Sequence, residues 1–582
     1  RSSSPSPTSP KEIARKASGR ASWHRKASKP ITVWMFLLLV IIFIHRWVPE
    51  SLWLMVHTVA LGLITNSILI WSQHFTEALL KVKIPDEARG IQVRRIYGLN
   101  ISIIALMLGV VLALYPMILV GAIGVGVMVA WHGLNLLLQL KRALPARFDV
   151  TVRFYIVACG LLPIGATFGA LLALDSLETS LHYRLLLAHE TVNVLGFVGI
   201  TVVGTLLTFW PTLLRTKMLP PAVKLSRIGL WGMVPGISTT TLAALLDLRQ
   251  LAGAGLLIYA SALLIIGYLM VKTCHTKKPS DYPTLSVAAG FSWLVVGVLW
   301  TAVLVFTTDF SELRLRTVTP VFVAGFLLQI LLGAMSYLLP MRMGGGPAAV
   351  RASSKEFNRF SFGRVTIINI CLIFFVLPVE LTGSVVRAAV SVLGALTLAS
   401  FLPLMIRGVK KSVAARKEMM AARRGEKPSL EASSAKVSEA VQSPHQEQSA
   451  LPHARRELLI GSGAALAAVA AGIAIAPSSS GLLHWGRGQT PASNGEITRL
   501  RVEATSDMRF VPDRVEVPAG NTLLLEVHNS DSTNVHDLFL NVHGGVESGR
   551  ISPGETAILT AGTITENVEG WCTILVHRAM GM

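Results

Sequence analysis

Apolar runs of the length a bilayer demands, about 20 residues, follow one another from near the start of the chain. They lie near 31–46, 52–73, 98–114, 117–140, 152–174, 184–210, 228–246, 250–272, 283–307, 320–340, 364–381 and 384–406, and a thirteenth, rich in small residues, lies near 458–476. From about 498 the period changes. LRVEAT, RVEVPA, NTLLLEVHN, HDLFLNV and TAILTAG alternate apolar and polar positions, parted by Gly, Pro, Asn, Asp and Ser. That alternation predicts the short strands of a small all-β sandwich. The expected fold is an all-α polytopic membrane region of about twelve spans plus one, followed by an all-β sandwich. The expected divisions are a basic tail (1–30), a twelve-span domain (31–406), a linker (407–457), a further span or export signal (458–476) and the β domain (498–582).

Charge sets the orientation. Of 582 residues only 15% are charged, with 53 Lys+Arg against 33 Asp+Glu for a net +20. So little charge excludes a single soluble globule and a disordered chain. The excess is dispersed between apolar runs rather than gathered on one soluble face, which argues against nucleic acid as the partner and for a lipid bilayer. Alternate loops are basic: Lys81 to Arg95, Lys141 to Arg147, Arg215 to Arg227, Lys272 to Lys278 and Arg342 to Arg359. The others are acidic or mixed, as at Asp175 and Glu178 or at Asp309, Glu312, Arg314 and Arg316. The positive-inside rule then predicts a multi-pass cell-membrane protein with a cytoplasmic amino terminus and linker, and with the β domain on the extracellular or periplasmic side. Arg455-Arg456 before the thirteenth run reads either as a positive flank or as a twin-arginine export signal. Ala474-Ile475-Ala476 resembles a small-residue cleavage site. Because the sequence starts at Arg1 and stops at Met582, it reads as a piece of something longer.

Of the four cysteines, Cys159 and Cys371 fall within spans and Cys274 at a span end, so only Cys572 is in the exported part. Its surroundings read Cys572, four residues, His577, four residues, Met582, and His536 stands upstream in Asn534-Val535-His536-Asp537. One thiolate, two imidazoles and a distant thioether form a donor set that suits both Cu(I) and Cu(II). Met580 is the rival axial donor. His528 and His543 read as strand histidines, and the tail holds no three-His set for a catalytic copper.

These residues, with His-Asp-Leu (536–538), Ser-Gly-Arg (548–550), Pro-Gly-Glu (553–555) and Gly-Trp-Cys (570–572), resemble the cupredoxin, or blue copper, family. In particular the tail is similar to the cupredoxin module of actinobacterial membrane proteins fused to a copper nitrite reductase or multicopper oxidase. The resemblance implies a type 1 copper held by His536, Cys572, His577 and Met582, which passes electrons toward copper domains that would follow Met582. It also implies a last strand after the Met, without which the sandwich should be less stable. Leu575-Val576 departs from the small residue or Pro-Gly usual before the second His.

Histidines recur inside the spans. His57 and His189 sit at matching depths, roughly 10 Å from the same side, and form a candidate axial pair for a haem b fed by a quinol or cytochrome donor. His74 and His132 form a weaker second candidate. The plainer reading is hydrogen-bonded histidine, with Asn66, Asn193 and Gln329 as partners. No paired His in the tenth span and no His-Pro-Glu exclude an oxygen-reducing core, and Gly344-Gly345-Gly346-Pro347 lacks the Lys-Ser/Thr of a phosphate loop. The alternative function is a transporter or copper-handling protein, but acids deep in the spans are almost absent, Glu190 being the nearest.

Overall fold

The computed structural model describes residues 10–582 except 49, 83–85, 145, 147, 175–176, 424–445, 476–495, 543–544, 566, 575–576 and 578–581. Among the described residues, thirteen helices are long and apolar enough to cross a bilayer, the pattern of a multi-pass membrane protein. They are α1 (Lys26–Ile44), α2 (Ser51–Leu79), α3 (Ala88–Val111), α4 (Tyr115–Arg142), α5 (Asp149–Leu172), α6 (Thr179–Leu214), α7 (Ala222–Leu245), α8 (Arg249–Thr276), α9 (Tyr282–Thr307), α10 (Val321–Met343), α11 (Gly346–Val376), α12 (Ser384–Ala421) and α13 (His453–Ile475). Each overlaps one of the apolar runs. The helices overreach the runs where polar flanks keep helical propensity: the linker expected from 407 stays helical to Arg423, and the basic tail is helical from Pro10. Local signals explain several ends. Asp281 caps α9 by accepting from the Thr284 amide at 3.1 Å, and α11 breaks before Ser361, where Phe360 adopts φ 51°.

Three of these helices contain wide, π-helical turns: Thr58–Thr65 in α2, Thr191–Gly199 in α6 and Val321–Leu328 in α10. Such turns carry one residue more per turn and cluster at functional positions.

The chain forms two compact units. The first comprises Arg1–Leu174, Leu185–Thr208 and Pro220–Leu245. Inside it, Trp34 Nε1 donates to Asn100 Oδ1 at 2.6 Å, and the Asn100 amide donates to Asn66 at 2.8 Å. A buried Arg89–Glu77 pair closes at 3.1 Å. The second unit comprises Asp175–Arg184, Phe209–Leu219 and Leu246–Met582. Its helices carry a matching network, in which Trp293 Nε1 donates to Asn369 Oδ1 at 2.6 Å and Gln329 donates to the same oxygen at 3.1 Å. In an apolar medium these polar groups have no water to fall back on, so they pair across helices.

The carboxyl-terminal part of the second unit is a small β region. β1 (Ile497–Thr505), β2 (Arg509–Val511), β3 (Thr522–Asn529) and β6 (Thr556–Thr563) form one sheet in the order β2-β1-β3-β6. β4 (Phe539–Leu540), β5 (Val546–Glu547) and β7 (Gly570–Trp571) form another, ordered β5-β4-β7. β1 and β3 run parallel and the other pairs antiparallel. In β3 the alternation is direct: Leu523, Leu525 and Val527 are buried while Glu526 is exposed. They join Val502, Leu559 and Ala561 of the same sheet and Leu538 and Leu540 of the β4 segment in one buried core. RVEVPA (514–519), expected as a strand, is irregular. Pro512 precedes it and Pro518 lies within it, each removing a ladder donor, yet Val515 and Val517 still pack on the core. The strand expected from His536 shrinks to Phe539–Leu540, with His536 in an isolated bridge to Ile551.

This β region rests on loops of its own unit. Arg550 Nη1 donates to the Leu177 carbonyl at 3.1 Å, and Thr179 Oγ1 donates to the Arg550 carbonyl at 3.1 Å. Arg316 lies 3.5 Å from Glu547 and 5.9 Å over the Phe539 ring.

Candidate metal centre

His536 lies just before β4, and its backbone is fixed from both sides by exchange of hydrogen bonds with Ile551 at 3.1 and 2.7 Å. Cys572 follows β7 directly. Asp537 ties the two segments together by accepting from both the amide and the hydroxyl of Thr573. His577 sits in a turn whose amide bonds the Ile574 carbonyl at 3.1 Å. As a result, donor atoms of His536, Cys572 and His577 all lie within 4.8 Å of one another, and all three residues are buried. Among the described residues no other group of three or more such donors comes together. Cys572 Sγ is 3.5 Å from His577 Nδ1, and the two imidazole centres are 5.0 Å apart. Met582 is buried in the same apolar cluster as Cys572, with Ala504, Val535 and Ile574. Met580, His543 and Leu575-Val576 lie outside the described residues. His528 is apart from the cluster, with Nδ1 at 2.9 Å from Thr556 Oγ1.

Polar detail fits the cluster to a cation. His536 Nε2 lies 3.3 Å from the buried carboxylate of Asp531. That carboxylate is fixed in turn by the Thr533 amide (2.8 Å), the Thr533 hydroxyl (3.0 Å), the Asn534 amide (3.2 Å) and the Asn534 side chain (3.0 Å). Burial works against its charge, but these donors prevail and hold the carboxyl well below its ordinary range. A carboxylate on Nε2 places the imidazole proton there and leaves the Nδ1 lone pair for a metal. His536 Nδ1 is buried with no hydrogen-bond partner. An orphaned buried nitrogen on a residue that meets a thiol and a second imidazole is costly unless an ion takes it up. Burial, followed by the nearby Asp537 carboxylate, pushes the Cys572 thiol well above its ordinary value, and burial lowers His536. Uptake of a metal therefore releases the thiol proton. Sequence reasoning missed Asp531 and Asp537. The run Asn529-Ser-Asp-Ser-Thr-Asn534 was the available signal, since Asx-type turns concentrate there.

The structure also brings His57 and His189 together. Their ring centres are 6.3 Å apart and inclined by 37°. It does not bring His74 to His132: His132 Nε2 lies 2.8 Å from Ser72 Oγ, whereas His74 makes an edge contact with Trp71 at 5.6 Å. Of the amides expected as partners, Asn193 reaches His189, with Nδ2 3.2 Å from His189 Nδ1. Asn66 and Gln329 serve the two Trp–Asn networks instead.

Compared with models of protein families and with curated proteins, the chain matches none.

Proposed function

We propose that this chain is a membrane-bound electron-transfer protein whose β region is a cupredoxin module with a type 1 copper site, an oxidoreductase component that passes electrons toward a copper nitrite reductase or multicopper oxidase unit. The observation that carries the reading is the convergence of the His536, Cys572 and His577 donors within 4.8 Å of one another, beside which His536 Nδ1 is buried without a partner. His536 and His577 would be the imidazole ligands, Cys572 the thiolate and Met582 the weak axial thioether. Copper in such a set supplies a one-electron couple whose two states accept nearly the same ligand geometry. The protein's own part is to keep that geometry rigid. Asp531 orients His536, Asp537 clamps the Cys572 segment to the His536 segment, and the apolar cluster around Met582 keeps water out.

Orientation follows from the same parts. The β region bonds Leu177 and Thr179 and approaches Arg316, all in or beside the loops that lack the basic excess. The positive-inside rule gives those loops and the tail the same, non-cytoplasmic side, and the contacts support that reading.

The test is an optical spectrum of the full chain in detergent, loaded with Cu(II). The expected result is an intense thiolate-to-copper band that is lost in Cys572→Ser and kept in His528→Ala. A folded, copper-loaded chain with no such band would overturn the type 1 site, and copper capture or transport would become the better reading.

A further inference from the structure

His57 and His189 belong to one compact unit and to different helices, α2 and α6. We propose that they are the two axial ligands of a single b-type haem held between these helices. A metal bonded to two opposed imidazole nitrogens at about 2 Å each places the ring centres about 6 Å apart. The observed separation is 6.3 Å.

The tautomers suit ligation. His57 Nδ1 donates to the Trp53 carbonyl at 2.9 Å, and His189 Nδ1 donates to the Gly165 carbonyl at 2.9 Å. A carbonyl can only accept, so each Nδ1 carries the proton, Asn193 Nδ2 at 3.2 Å from His189 Nδ1 being then a contact and not a bond, and each Nε2 keeps its lone pair for a metal. Trp53 also stacks on the His57 ring at 3.8 Å, fixing its plane. On the other side, α5 presents Gly165 and Gly169 four residues apart, a spacing that lets helices close on each other. A Cβ at Gly169 would fall 2.8 Å from the His189 ring, and one at Gly165 would fall 2.2 Å from Asn193. The position of His189 thus depends on two glycines.

Haem, rather than a bare ion, follows from the donor count. Two imidazoles leave a zinc or copper ion short of its usual ligands. Among the described residues no third His, Cys, Asp or Glu joins this pair, the group at His536 being the one set of three or more. A porphyrin brings four nitrogens of its own and needs two from the protein. Both histidines are only half-buried, although each lies in a helix apolar enough to cross a bilayer. Each is followed closely by a π-helical turn, beginning at Thr58 after His57 and at Thr191 after His189. That widening reorients the helix face just below the ligand. With both axial positions filled by protein, the iron would have no open position for substrate, which makes this a carrier site. The proposal does not rest on the copper reading and is tested without copper.

The full chain, solubilised in detergent, is titrated with hemin. The expected result is saturation at one haem per chain, with a six-coordinate low-spin spectrum in both oxidation states and no response to carbon monoxide. His57→Gly and His189→Gly should each give a high-spin haem that binds carbon monoxide, and added imidazole should restore the low-spin spectrum, which separates lost ligation from misfolding. His132→Ala, whose ring bonds Ser72, should leave the spectrum unchanged. Failure of the wild-type chain to saturate with hemin would overturn the proposal. So would a low-spin spectrum that persists in the His57→Gly/His189→Gly double variant, or a stoichiometric zinc ion that the hemin cannot displace.

Discussion

Asp531→Ala isolates the support beneath the proposed copper ligands from those ligands themselves. In the native chain this carboxylate accepts four hydrogen bonds from Thr533 and Asn534 and faces His536 Nε2 at 3.3 Å. Truncation strips the imidazole of the group that fixes its tautomer. Loss of such an outer partner costs about 10- to 100-fold in metal affinity, equivalent to about 1.4–2.8 kcal/mol. The turn at 531–534 also loses a charged acceptor, for about 1.5–3 kcal/mol of local stability. Asp531→Asn keeps the volume and one acceptor oxygen and should lose less of both. Copper affinity is read by competition with a chelator in the full chain, and the turn by hydrogen exchange at 529–536. The pH dependence has a definite sign. The folded pKa lies below the reference 3.8, so the carboxylate's stabilisation is complete above that value and is lost as pH falls toward the folded pKa. The acid limb of β-region unfolding should therefore be shallower in Asp531→Asn. Undiminished copper affinity in Asp531→Ala, with the spectrum unaltered, would refute the orienting role and with it the reading of His536 Nδ1 as the ligand atom.

Other substitutions separate the remaining parts. Met582→Leu removes the axial thioether donor, which favours Cu(II) less and should raise the reduction potential in a redox titration; an unchanged potential would pass the axial role to Met580. Leu525→Ala hollows the core shared by both sheets and should lower the opening free energy of the β3 and β6 amides by about 2–5 kcal/mol in hydrogen exchange. Arg550→Ala removes the donor to Leu177 and should speed exchange at 177–184 while leaving the β3 amides protected. Arg316→Ala breaks a part-exposed ion pair worth about 0–1 kcal/mol and should change the same readout much less. Asn100→Leu strands the indole N–H of Trp34 and leaves Asn66 Oδ1 without the Asn100 donor, and should lower thermal stability in detergent by about 1–2 kcal/mol.

What the sequence discloses depends on whether one residue or a geometry carries the information. Apolar run length reproduces all thirteen helices because a bilayer imposes one length on each. Period-two alternation locates β1, β3 and β6 because one face of each is buried. It fails at 514–519, where prolines forbid pairing that the valines would otherwise support, and it overextends β4, where a single bridge at His536 replaces a ladder. The meeting of His536, Cys572 and His577 is readable because spacing limits where a loop can put them. Asp531 is not, since its role comes from a turn that folds back five residues. Depth alone nominates His57 and His189 together with His74 and His132. Only the helix packing shows that the first pair meets and that Ser72 occupies His132.

The π-helical turns were invisible in the apolar pattern. They fall on α2, α6 and α10, every fourth span, and each holds a glycine near its middle: Gly62, Gly196 and Gly325. Around the first and third the neighbours correspond. Trp34 and Trp293 come within 2.7 Å of where a Cβ on Gly62 or Gly325 would stand, and each indole donates to an asparagine of the following span, Asn100 or Asn369. The polar residue that ends each of those π turns, Asn66 or Gln329, completes the network. The second copy departs from this plan. Leu161 takes the place of the tryptophan beside Gly196, and Ile200 follows the π turn where the other copies have an amide. Its polar chemistry lies earlier on the helix, at His189 and Asn193. The α2 and α10 surroundings thus share one geometry, and α6 departs from it. His57 and His189 use two of the three equivalent helices, while the third carries Thr319-Pro320 before its π turn and offers no imidazole. His57 precedes the α2 π turn and Asn66 follows it, so under the haem proposal His57→Gly should abolish low-spin haem binding and leave the Trp34–Asn100 bond intact.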